Sequence, residues 1–236
     1  MPPFMLSEDN TRIQVVESFE ELVGARFDKG INALCWPRIL DGDFAEVVGA
    51  LPKGSGIVGL DEDELKSLSL SAAGQQAVAV MLEDRSRLEA LGLMPELNVI
   101  HGYVRETCDA LVNTEVYSFH ADSATVPADT WLCTYHGASS EGLRNEDAIR
   151  RVDVAETRAA LLAEYGGMDD EGFREWLNDC CYDLHYVPTK GARPFVFGVG
   201  PLWRIATEYP GCPVPPCVHR APETLPGDVT RLLLIA

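Results

Sequence analysis

His120 and Asp122 stand one residue apart in the run TEVYSFHAD, and His219 lies far downstream in VHRAP. If TEVYSFHAD ends as a strand, residues i and i+2 project from one face. One imidazole and one carboxylate then reach a single ion with little backbone distortion. A histidine on a neighbouring strand completes a set of two histidines and one carboxylate. That set leaves three positions of an octahedron open and suits the iron(II) of non-haem oxygenases. His120, Asp122 and His219 are therefore the candidate metal ligands and catalytic residues. His-x-Asp alone is a weak signal, because chance produces it often, and its bland reading is a turn aspartate beside a half-buried histidine. Arg231 supplies context. It opens the terminal run RLLLIA, where Arg231, Leu233 and Ile235 share a face in an extended strand. An inward arginine is costly to bury unless an anion meets it, and a guanidinium fits a carboxylate in bidentate fashion. The competing reading of Arg231 is a structural salt bridge.

These residues need strands to hold them, and the texture of the chain changes to supply them. Residues 18–27 read as a short helix, residues 31–40 start β-like, and DGDFAEVVGA is helical up to Pro52. From Asp61 to Gly92 apolar residues recur at three- and four-residue spacings, the pattern of an amphipathic helix. Residues 1–95 are thus expected to be mostly helical and to pack on a barrel. From Leu97 onward β-branched and aromatic residues dominate NVIHGYVRETC, TEVYSFHAD and TWLCTYHG, and strands return at RPFVFGV, PLWRIAT, VHRAP and TRLLLIA. Two helical runs parted by Gly166–Gly167 form an insert at about 153–189, which suits either a lid or an outer buttress. The expected fold is α+β and mainly β, a single domain. Its core, residues 96–236, is a double-stranded β-helix of the jelly-roll or cupin-like kind with helices outside.

The order His-x-Asp, distant His, then Arg231 about a dozen residues on resembles the 2-oxoglutarate/iron(II) dioxygenase superfamily. CWPRIL, FHAD, CTYHGASSEGL, VHRAP and RLLL are also similar to a bacterial domain-of-unknown-function family. Its blocks run roughly WxR, FHxD, TYxGPGTEW, HRSP and RxLL. The third block departs here, with Ala138-Ser139-Ser140-Glu141-Gly142 in place of the GPGTEW-like turn. The resemblance implies iron(II) on His120, Asp122 and His219, and 2-oxoglutarate as cosubstrate with Arg231 holding its far carboxylate. Tyr117 and Arg105 are further candidates for the cosubstrate, and Tyr103 and His136 for the substrate. The alternative function is a metal-binding or metal-handling cupin-like protein without turnover.

Composition narrows the partners. Nineteen basic against thirty-seven acidic residues give a formal charge of −18, which opposes the clustered phosphate contacts of nucleic-acid binding. No apolar run approaches the ~20 residues of a bilayer span, and MPPFMLSEDN has neither a basic start nor an apolar core, so a cytoplasmic location is expected. Seven scattered cysteines without a CxxC pair argue against a disulfide scaffold. Cys212 and Cys217 beside His219 match no common zinc module, and His101 and His185 read as structural. The expected partners are molecular oxygen and a small polar substrate, an amino acid being one example, with homodimerisation left open.

Overall fold

Four short polar side chains set where the N-terminal helices begin. Ser18, Asp43, Asp61 and Ser71 each accept a hydrogen bond from the backbone N–H three residues on, which satisfies one of the orphan donors of a first helical turn. The computed structural model describes residues 10–103, 110–223 and 229–236. It has helices α1 (Phe19–Gly24), α2 (Phe44–Ala50), α3 (Glu62–Ser67), α4 (Ala72–Glu89), α5 (Ala155–Tyr165) and α6 (Glu171–Asp179). The periodic run expected as one helix from Asp61 to Gly92 is two. Leu68 turns extended after α3, and Ser71 caps a new start, itself held by the Glu46 carboxylate through its N–H and hydroxyl.

The described strands are β1 (Ile13–Val15), β2 (Ala33–Trp36), β3 (Ile57–Leu60), β4 (Glu96–Ile100), β5 (Asp129–His136), β6 (Glu141–Leu143), β7 (Ala148–Arg150), β8 (Tyr186–Pro188), β9 (Phe195–Val196), β10 (Leu202–Ala206), β11 (Val218–Arg220) and β12 (Arg231–Ile235). The chain is an α+β protein. Seven strands form one sheet in the order β1-β2-β10-β5-β12-β4-β3, antiparallel except for the β1–β2 pair. The N-terminal part carries α1 to α4 and also supplies β1, β2 and β3, so it is woven into one side of the sheet and its two edges.

Alternation gives this sheet two apolar faces. Leu34, Trp131, Tyr135, Leu202, Leu232 and Leu234 pack against Val47, Leu65, Met81 and Leu88 of the helices. Arg38 ties the two layers together. Its guanidinium forms a two-pronged ion pair with the buried Asp84 of α4, and Tyr135 Oη donates to the same carboxylate at 2.8 Å. The arginine of the CWPR run is therefore a structural residue, charged and held there by Asp84. On the other face Ala33, Cys35, Leu132, Trp203, Ile205 and Leu233 meet Phe197 and Cys217. These last two flank a smaller sheet, β11-β6-β9.

The smaller sheet does not stop at β11. His120 forms single-residue antiparallel bridges to His219 on one side and to His185 on the other. Residues 119–121 thus extend the layer toward the β7–β8 pair. The expected strand in TEVYSFHAD shrinks to this one bridge, because the chain turns at Glu115–Ser118 immediately before it. Taken in chain order, β4, the 119–121 segment, β5, β6, β9, β10, β11 and β12 pair in a nested way. The first pairs with the last, the second with the seventh, the third with the sixth and the fourth with the fifth. The helical insert falls between the innermost pair, where added length leaves the other pairings undisturbed.

Candidate metal centre

One backbone pairing brings the three candidate ligands together. His120 and His219 oppose one another and exchange both backbone hydrogen bonds, each at 2.8 Å, so their side chains share a face. Phe119, Ala121 and Val218, one residue to either side, pack together on the opposite face with Leu143 and Tyr186. The histidines consequently point into the space between the sheets, and Asp122 joins them two residues after His120. The imidazole centroids are 4.6 Å apart. His120 Nε2 is 3.6 Å from Asp122 Oδ1, and His219 Nε2 is 3.6 Å from Asp122 Oδ2. The ligand atoms all lie within 4.8 Å of one another, and no other such group of His, Cys, Asp or Glu occurs among the described residues.

Hydrogen bonds fix which nitrogen is free. His120 Nδ1–H donates to the Ser118 carbonyl at 2.7 Å, and His219 Nδ1–H donates to the Cys217 carbonyl at 3.2 Å. A carbonyl only accepts, so each ring carries its proton on Nδ1 and keeps the Nε2 lone pair for an ion. Thr130 donates to Asp122 Oδ2 at 2.6 Å and steadies the carboxylate. Burial, and then the neighbouring His219, push the His120 pKa down to about 4, which keeps the ring neutral. For Asp122, burial works to raise the pKa, but His219, Thr130 and His120 outweigh it and hold the carboxyl below its ordinary value. Donors on one octahedral ion at bonds of about 2.0–2.2 Å sit roughly 3 Å apart, a spacing that these donors, within 4.8 Å of one another, would reach by drawing in around an ion. The donor set fits a divalent transition ion.

Arg231 lies in the same interior, on the face of β12 that also carries Leu233. It is 1% exposed. Its guanidinium donates to Tyr103 Oη at 2.9 Å, Thr134 Oγ1 at 3.1 Å and Ser140 Oγ at 2.8 Å, while Nε has no partner. Three neutral hydroxyls surround it, and no carboxylate pairs with it among the described residues. Burial lowers its pKa, the sign of a cation lacking full compensation. Tyr103, expected at the substrate, is thus part of the Arg231 cluster. No motif points to Ser140 as an anchor, whereas Thr134 follows from strand alternation with Leu132.

The other candidates scatter. A bulge at Tyr135 sets His136 opposite Leu232, on the helix-facing side, where Asp43 is its charged neighbour. Simple alternation from Thr134 would have put His136 in the interior, and the extra residue reverses it. Tyr117 sits half-buried in the turn closed by the Ser118 N–H to Glu115 carbonyl bond, and Arg105 lies outside the described residues. Cys217 packs in the apolar cluster, its thiol pushed up to about 12 by burial and by Asp122. The sequence marks His185 only as a structural residue. It is buried, its ring lies 5.7 Å from that of His120, and it belongs to the same inward row. No helix among the described residues is long and apolar enough to cross a membrane. A scan against protein-family models and searches of curated proteins and of solved structures found no match.

Proposed function

We propose that this chain is an iron(II)- and 2-oxoglutarate-dependent oxygenase acting on a small polar molecule, built on a double-stranded β-helix. The nested pairing of eight segments supports that fold, since a long hairpin of strands rolled into two layers produces this order of neighbours. One observation carries the functional reading. Two imidazoles with their Nδ1 protons committed to carbonyls, and one carboxylate held by Thr130, converge on a single point.

Iron(II) with 2-oxoglutarate supplies, when bound, the activation of oxygen needed to oxidise a substrate C–H bond. The chain's own residues bind and orient. His120, Asp122 and His219 would hold the ion through Nε2, a carboxylate oxygen and Nε2, leaving the remaining positions to exchangeable groups. Arg231 would take the far carboxylate of 2-oxoglutarate, with the hydroxyls of Tyr103, Thr134 and Ser140 fixing the plane of its fork. The stack of Phe197 on Trp203, with centroids 4.5 Å apart, and the ring of Phe197 near His219 keep one side of the interior apolar. A protein that merely stores a metal has no use for a buried guanidinium that no carboxylate among the described residues meets, which favours the enzyme over the metal-handling alternative.

Metal stoichiometry tests the centre. Wild-type protein reconstituted anaerobically with iron(II) should bind one ion per chain, whereas His120→Ala and His219→Ala should retain little. Equal metal content in the three proteins would remove the centre and, with it, this function.

A further inference from the structure

The inward row that holds His120 and His219 continues past them into the helical insert. His120 bridges His185, and the Arg151 N–H donates to the His185 carbonyl at 2.8 Å, one step along the ladder that pairs Arg150 with Tyr186. Residues directly opposed in an antiparallel ladder share a face. His185, His120 and His219 therefore stand side by side on three successive segments, and Arg151, which opens a 3-10 turn directly after β7, is tied to His185 by that backbone bond. The adjacent residues Tyr186, Phe119 and Val218 fall on the outer face. Asp183 and Glu208, acids along this edge, bear on Arg150, which alternation turns outward with Tyr186.

Among the described residues Arg151 is left without an anion. It makes no ion pair among the described residues, and its buried Nε has no hydrogen-bond partner. His185 is 5% exposed, and its Nδ1 is likewise buried and unpartnered. Two orphaned nitrogens in one row are costly unless a ligand meets them. The stability of the pairing rests on backbone bonds and on the packing of α5 and α6, whose Leu161, Phe173 and Leu177 form a cluster with Val112 and Val152. Neither side chain contributes to that cluster, so both are free to serve a ligand.

We infer that Arg151 and His185 form the recognition subsite for a carboxylate carried by the substrate. The inference rests on the proposed metal centre, beside which it places the substrate, and gives that substrate a chemical class: a small carboxylic acid. One guanidinium matches the single charge of a carboxylate and offers two parallel N–H donors, with His185 Nδ1–H as a third. A phosphate monoester would bring nearly twice the charge to a row that holds one permanent cation. The helical insert thereby acquires a role: its flanks pair as β7 and β8, and the residues just inside that pair, Arg151 and His185, carry the subsite to the edge of the metal centre.

The test uses the full chain and 13C-carboxyl acetate as probe, in an Arg231→Leu background so that the other guanidinium does not bind it. NMR titrations are run on metal-free and on Mn(II)-loaded protein. Acetate should bind without metal, Arg151→Gln should weaken it on the order of tenfold or more, and Arg151→Lys should restore part of the loss. His185→Phe should weaken it less, and Mn(II) should broaden the bound acetate signal. Circular dichroism checks that each variant is folded, and Arg151→Lys keeps the charge if Arg151→Gln is not. Binding that is absent, or is unaltered by Arg151→Gln, overturns the inference. Inorganic phosphate binding more tightly than acetate overturns the carboxylate assignment. An Arg151-dependent acetate site in protein that fails to bind Mn(II) would reject the metal centre and leave the subsite in place.

Discussion

Replacing Arg231 by leucine separates two explanations for a guanidinium that is 1% exposed. If Arg231 were half of a buried ion pair, its removal would strand a charge and cost about 3–5 kcal/mol. The structure shows three hydroxyl partners and an orphaned Nε instead. Losing those bonds costs on the order of 1–2 kcal/mol each, and relieving a buried, uncompensated cation returns several. Unliganded stability should therefore change by less than about 2 kcal/mol. Ligand binding should change far more. Two charge-assisted bonds to a carboxylate, at about 1.5 kcal/mol each, correspond to a rise on the order of a hundredfold in the Kd for 2-oxoglutarate. At a hundred times its Kd, 2-oxoglutarate should stabilise the wild type by about 2.7 kcal/mol. In a chain of this length that is a rise of roughly 5–10 °C in Tm. Melting curves of metal-loaded wild type and Arg231→Leu, with and without 2-oxoglutarate, read both numbers. A variant melting about 10 °C or more lower without ligand, but with an unchanged Kd, would refute the anion-site reasoning.

Asp84→Ala should behave in the opposite way. It strands Arg38 in the core and removes the acceptor of Tyr135, so a loss of about 3–5 kcal/mol is expected in urea unfolding; a loss below about 1 kcal/mol would show that water reaches Arg38. Gly42→Ala should destabilise by about 2–3 kcal/mol, since a Cβ there would lie 2.4 Å from the Ala77 backbone nitrogen in a left-handed φ of 119°. Unaltered urea midpoints would mean that α4 shifts freely. The chain should bind neither DNA nor RNA at moderate salt, given its charge of −18; salt-sensitive retention on either would contradict this.

The triad was legible because it needed only a two-residue spacing and one distant partner. His120 and Asp122 share a face even though the strand expected around them is a single bridge, for one extended pair suffices. Arg231 was legible for a similar reason, as the first residue of an alternating terminal strand. What was not legible depends on irregularities that leave no periodic trace. The bulge at Tyr135 turned His136 away from the interior, and the cap at Ser71 divided a run whose apolar spacing continues unbroken. His185 and Arg151 are instructive in another way. Their significance comes from which segments lie side by side, and a pairing between residues 120 and 185 has no local signature in the sequence.

Turnover of the cosubstrate itself reaches the central claim most directly. Wild-type protein with iron(II), 2-oxoglutarate and ascorbate under air should release succinate, slowly alone and faster with small carboxylic acids drawn from a metabolite panel. His219→Ala and Arg231→Leu should reduce release to the background of free iron. Succinate formation at equal rates in all three proteins, or none in the wild type across the panel, would contradict the account.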